Sequence, residues 1–157
     1  MSEAEIQTIE DVLLTKGQYV GPTAGVSMLP MLKNRRDTIV VSKKTERLKP
    51  LEVALYKRGE QYILHRVLEV TDTGYIIRGD NCYSDEIVPE EAVIGVLTEF
   101  FRKNKHVICE SDKKYHRYVK NRLKTYKSRR FFVQAQAKCK RFIKKILGLF
   151  GYKKGKQ

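Results

Sequence analysis

Residues 61–77 read QYILHRVLEVTDTGYII, and this stretch decides the fold class. Gln61 to Val70 is rich in β-branched and aromatic residues, as a long strand requires. Thr71-Asp72-Thr73-Gly74 is a turn signal, and Tyr75-Ile76-Ile77 is the returning strand, so the chain doubles back on itself. Upstream, Val53-Ala54-Leu55-Tyr56 is another short run, joined through a hairpin signal at Lys57-Arg58-Gly59-Glu60, and Thr38-Ile39-Val40-Val41 precedes it. Downstream, Ala92 to Phe101 and Val107-Ile108-Cys109 are the strands expected to close the sheet. Short strands separated by turns predict a mainly antiparallel β domain over residues 18–110.

The flanks read differently. Residues 3–15 place Ile6, Ile9, Val12 and Leu13 at helical spacing, with acids in the first turn and Gly17 as a stop, predicting an amphipathic helix within residues 1–17. From Ser111 onward the composition becomes strongly basic. Residues 1–100 carry 12 Lys and Arg against 16 Asp and Glu, net −4; residues 101–157 carry 20 against 2, net +18, which together give the +14 of the chain. Within 111–157, Tyr115, Tyr118, Val119, Leu123 and Tyr126 fall at helical spacing. Phe142, Ile143, Ile146, Leu147 and Phe150 form an apolar stripe flanked by Lys138, Lys140, Arg141, Lys144 and Lys145, with Gly148 and Gly151 expected to end the helix.

Such a tail seeks an anionic partner. The hypothesis drawn from it is a membrane contact through Lys140, Arg141, Phe142, Lys144, Lys145, Ile146 and Phe150. A solvated basic helix packed on the β domain is the bland alternative. Nucleic acid comes last, because no helix-turn-helix or single-strand platform accompanies the tyrosines. The acidic first ten residues lack the apolar core of a secretory signal, and no run approaches the ~20 apolar residues that span a bilayer. The expected location is cytoplasmic, with peripheral attachment to the inner face of the membrane. Cys82, Cys109 and Cys139 have no metal-ligand spacing, so reduced thiols and no cofactor are expected.

Three stations carry candidate chemistry. Ser27 stands in the turn Gly25-Val26-Ser27-Met28-Leu29-Pro30, His65 in the long strand, and Asp80 and Asp85 follow Arg78-Gly79. A serine becomes nucleophilic when a base takes its proton and donors receive the oxyanion. A neutral imidazole is that base near neutral pH, and a carboxylate on its far nitrogen fixes the tautomer and stabilises the imidazolium. Gly25, Val26, Met28 and Pro30 are expected to form the oxyanion and substrate-binding surface. His106 and His116, in charged surroundings, read as surface residues.

At these residues the chain resembles the type I signal peptidases. Ser27-Met28-Leu29-Pro30 resembles their Ser-Met-x-Pro box, and Asp37-Thr38-Ile39-Val40-Val41 the Gly-Asp-x-Val-x-Val strand, with Arg36 in place of the glycine. Leu64-His65-Arg66-Val67 resembles the His-Arg-Val box of the endoplasmic-reticulum, archaeal and spore-former type, where histidine replaces a lysine base. Arg78-Gly79-Asp80-Asn81 resembles the Lys-Gly-Asp-Asn box, and Val93-Ile94-Gly95 the closing strand. The resemblance covers about residues 20–100. It implies the β peptidase fold shared with LexA-like self-cleaving proteins, and peptide hydrolysis by Ser27 with His65 as general base. Two family features are missing from this sequence: Gly25 stands where a hydroxyl usually precedes the nucleophile, and no N-terminal membrane-spanning helix is read. The family's second acid follows its Gly-Asp aspartate by six residues; here Asp85 comes at five and Glu86 at six. The acid therefore stays open among Asp80, Asp85 and Glu86, with Asp80 and Asp85 together favoured. The competing readings are an inactive peptide-binding protein of the same fold and a regulator acting on nucleic acid through the tail.

Overall fold

A computed structural model describes residues 8–150, the side chains of 146–150 excepted. The predicted first helix is present as α1, Ile9–Lys16; Ile6 and the rest of its predicted start lie outside the described residues. Thr8 and Asp11 form a reciprocal capping box at its start, and Gly17, at φ 73°, takes the left-handed conformation that ends it. Leu13 is its buried anchor.

Among the described residues eight strands follow: β1 Gln18–Pro22, β2 Thr38–Lys43, β3 Val53–Arg58, β4 Gln61–Thr71, β5 Gly74–Arg78, β6 Glu86–Pro89, β7 Val93–Arg102 and β8 Lys105–Ile108. The sheet order is β1-β2-β7-β3-β4-β5-β6, with β8 on β7, and every pairing is antiparallel. The quoted stretch folds as read: β4 returns through Asp72-Thr73 with Thr71 opposite Gly74. The hairpin before it turns at Gly59-Glu60, where Gly59 supplies the positive φ. Two strands had no clear sequence signal, β1 and β6. β7 is the long-range element, returning to lie between β2 and β3.

One core cluster gathers Tyr56, Val67, Tyr75, Ile77, Val88 and Val93 between the strands. The turn that carries Ser27 sits over the sheet and is held by charge. Asp37 is fully buried; burial works against its ionisation, but the Arg36 guanidinium at 2.6 Å and the Lys33 N–H outweigh it and hold the carboxyl below its usual range. Arg102 donates to the Pro30 and Met31 carbonyls at the far end of the same turn.

The chain divides into two compact units, Met1–Val119 and Lys120–Gln157. The first therefore extends past residue 110 and takes in the start of α2, Lys113–Lys124. Asp112 caps α2 by accepting from the Lys114 and Tyr115 N–H groups, and Tyr115 and Val119 are buried. That part of the predicted tail is core. In the second unit, α3 runs from Tyr126 to Phe150. Gly148 does not end the helix as expected, since α3 continues through it; Gly151 lies outside the described residues.

Candidate active site

Successive side chains of β4 point to opposite faces, and two neighbours there have different tasks. Arg66 is buried on one face. It forms a bidentate pair with Asp80, both bonds 2.8 Å, and donates to Tyr115 Oη at 3.0 Å and the Leu51 carbonyl at 2.8 Å. Tyr118 Oη donates to the same Asp80 carboxylate at 2.9 Å. Burial disfavours the Arg66 charge, but Asp80 outweighs it and raises the pKa further above its ordinary value.

His65 faces the other way, into a groove of about 450 Å³ that Gly25, Val26, Ser27 and Met28 also line. Its Nδ1 lies 3.3 Å from Tyr56 Oη and 3.5 Å from Glu86 Oε1. Tyr56 Oη donates to Glu86 Oε2 at 2.6 Å, and Arg58 binds that oxygen at 3.0 Å. With the tyrosine proton committed to Glu86, Tyr56 Oη accepts from Nδ1–H. This network assigns the neutral tautomer with its lone pair on Nε2. Burial lowers the His65 pKa, with Glu86 opposing in part, so the imidazole is an unprotonated base at neutral pH. Burial and Glu86 push the Tyr56 hydroxyl well above the usual phenol range, keeping it a donor.

Nε2 points at the serine turn. A Cβ built on Gly79 would lie 2.9 Å from His65 Nε2, 2.8 Å from the Ser27 carbonyl oxygen and 2.8 Å from Cys82 Sγ. The serine's carbonyl and the imidazole nitrogen are therefore no farther apart than the sum of the first two distances. The strand-end station holds that geometry residue by residue. Gly79 leaves the space, Asp80 binds Arg66, and Asn81 donates its N–H to the Ser27 carbonyl at 2.7 Å and its Nδ2 to Val26 at 3.3 Å. Ser27 Oγ has no hydrogen-bond partner among the described residues and is partly exposed to the groove. No acceptor among them takes the Ser27 or Met28 N–H, so both remain available as donors.

Several expectations are corrected. The carboxylate at Nδ1 is Glu86, rather than Asp80 and Asp85 together: Asp80 is the buried counter-ion of Arg66, and half-exposed Asp85 pairs with Arg78 at 2.7 Å. The Gly25 N–H is bonded to Asn34 Oδ1 at 3.1 Å, which leaves the donor role to Ser27 and Met28. Pro30 does not line the groove; it lines a separate, smaller cavity and its carbonyl is held by Arg102. Val26 is exposed beside the serine and Met28 is buried beneath it, both on the groove. His106 and His116 are exposed, as expected. Tyr56 and Arg58 are the site residues that sequence reasoning missed. Ala54 lies opposite His65, so Tyr56 is the diagonal cross-strand neighbour, a relation legible only once the β3–β4 register is known.

Open backbone flanks the groove. Among the described residues, β1 pairs only with β2, and Gln61–His65 of β4 pairs only with β3, because β5 joins at Arg66. No protein-family model matches the chain, and no curated protein matches it significantly.

Proposed function

We propose that this chain is a serine endopeptidase with the signal-peptidase/LexA-like β fold, with Ser27 as nucleophile and His65 as general base. An extended peptide adds to the open edges of β1 and Gln61–His65, its backbone hydrogen-bonding as a further strand. Rotation of the Ser27 side chain brings Oγ to Nε2, a contact that commonly tightens only when substrate is bound. His65 removes the hydroxyl proton, Oγ adds to the scissile carbonyl, and the Ser27 and Met28 N–H groups receive the oxyanion. The imidazolium returns its proton to the leaving amine, and water cleaves the acyl-enzyme with the same base. Glu86, directly and through Tyr56, stabilises the charged ring during both steps.

The observation that carries this reading is the convergence at Gly79. Two groups 38 positions apart in sequence meet around one glycine, with a carboxylate on the imidazole's other nitrogen. The order of the five matched segments named above supports it. A fluorophosphonate probe tests it: the native protein is labelled, whereas Ser27→Ala and His65→Ala, matched for thermal stability, are not. Equal labelling of all three sinks the proposal. A second reading, a peptide-binding module without catalysis, draws on the unpartnered Ser27 Oγ. It predicts no labelling of the native protein together with retained affinity for extended peptides.

A further inference from the structure

α3 segregates its residues in a way that the proposed chemistry does not use. At about 100° per residue, Phe131, Phe132, Ala135, Cys139, Phe142 and Ile143 fall within an arc of about 120°. Phe131, Phe132, Phe142 and Ile143 are 67, 63, 65 and 54 % exposed, a row of large apolar groups. The remaining arc holds all eight Lys and Arg of the helix, and α3 contains no Asp or Glu. Eleven residues separate Phe131 from Phe142, so the apolar face begins about three turns before the stripe legible in the sequence.

We propose that α3 lies along an anionic phospholipid surface. Phe131, Phe132, Phe142 and Ile143 enter the acyl boundary, while Lys138, Lys140, Arg141, Lys144 and Lys145 sit among the headgroups. Two features have to be satisfied together, and the bilayer satisfies both: apolar depth for one arc and phosphate for the other. A second copy would cover the aromatic arc only by setting eight cations beside eight more, with no carboxylate on either helix to offset them. A nucleic acid would engage the cations and leave the aromatic row in water. Among the described residues no helix, α3 included, is long and apolar enough to cross a membrane.

The test is co-sedimentation of the full chain with vesicles, either phosphatidylcholine alone or phosphatidylcholine mixed with phosphatidylserine. The native protein is expected to sediment with the mixed vesicles and to stay in solution with the neutral ones. Replacing Lys140, Arg141, Lys144 and Lys145 by Gln weakens binding by more than a hundred-fold, about five-fold per cation. Phe131→Ser with Phe132→Ser weakens it at least about ten-fold, which a stripe confined to Phe142 onward would not predict. All these side chains are exposed, so an unchanged thermal midpoint certifies folding of each variant. Failure of the native protein to bind mixed vesicles overturns the proposal, as does full binding by the Phe131/Phe132 variant. Dimerisation abolished by the serine pair, or nucleic-acid binding indifferent to it, assigns the face elsewhere in those cases. Ser27→Ala is expected to bind vesicles like the native protein, so this test stands or falls apart from the peptidase reading.

Discussion

Gly79→Ala probes the convergence on which the active-site reading rests. The new methyl would stand 2.8 Å from Cys82 Sγ, 2.8 Å from the Ser27 carbonyl oxygen and 2.9 Å from His65 Nε2. Ordinary contact begins near 3.4 Å, so each neighbour is about half an ångström too close. Cys82 can turn aside. The Ser27 carbonyl cannot move without stretching its 2.7 Å bond from Asn81, and the imidazole cannot move without loosening Tyr56 and Glu86. Overpacking of this kind costs about 1–3 kcal/mol, and displacement of reacting groups by up to about 1 Å costs on the order of a hundred-fold in rate. The expected outcome is a thermal midpoint lower by about 3–15 °C and fluorophosphonate labelling slowed by roughly two orders of magnitude.

Gly17→Ala is the control. Gly17 sits at positive φ and its Cβ meets nothing within 4 Å, so this change strains the end of α1 and adds no clash in the groove. It should cost about 1 kcal/mol and leave the labelling rate of folded protein unchanged. Adding Cys82→Ala to Gly79→Ala relieves one clash of three and should not restore the rate. Native labelling and stability in Gly79→Ala would refute the reasoning.

Labelling requires neutral His65, whose pKa burial lowers from the ordinary 6.5, so the rate should persist as pH falls through 6.5 and decline only below it. The same depression means that stability is lost, not gained, as pH drops through that lower range, and an acid limb above 6.5 contradicts the assignment. Glu86→Gln removes the charge that supports the imidazolium, moving the limb lower still and reducing the plateau rate at least about ten-fold. Tyr56→Phe takes away the bridging hydroxyl and should slow labelling about ten-fold at a stability cost near 1 kcal/mol, read by urea unfolding. Asp80→Asn leaves the buried Arg66 charge without its counter-ion and should cost about 3–5 kcal/mol in the same assay, whereas Asp85→Asn, at a half-exposed carboxylate, should cost about 1 kcal/mol.

The hairpins were legible because their signals are local. Gly59 and Gly74 mark turns, and the run between them is rich in β-branched and aromatic residues, as a strand requires. β1 and β6 escaped because neither is set by its own composition. β1, with glycine and proline among its five residues, becomes a strand only by pairing with β2, and β6 only by pairing with β5. The tail divided where it did for a similar reason. Tyr115 and Val119 have the same helical spacing as the residues after them, but Phe100 and Arg66 stand ready to bury them. Periodicity tells which face of a helix is apolar, not what covers it.

The candidate site shows where spacing stops being informative. Ser27 and His65 stand in distinctive local sequence, and the structure brings them onto one groove. The acid does not stand out in this way, since Asp80, Asp85 and Glu86 crowd into seven residues of turn and strand. What separates them is the parity of the sheet. Val67 shares its face of β4 with His65, lies opposite Ile77, and Ile77 lies opposite Glu86, so Glu86 stands on the imidazole's side. Arg66 points to the other face and takes Asp80, while Asp85, just ahead of β6, reaches Arg78. A shift of one residue in the β5–β6 register would reverse that allotment. The pairing of Ile77 with Glu86, more than any property of the carboxylates themselves, therefore gives His65 its partner.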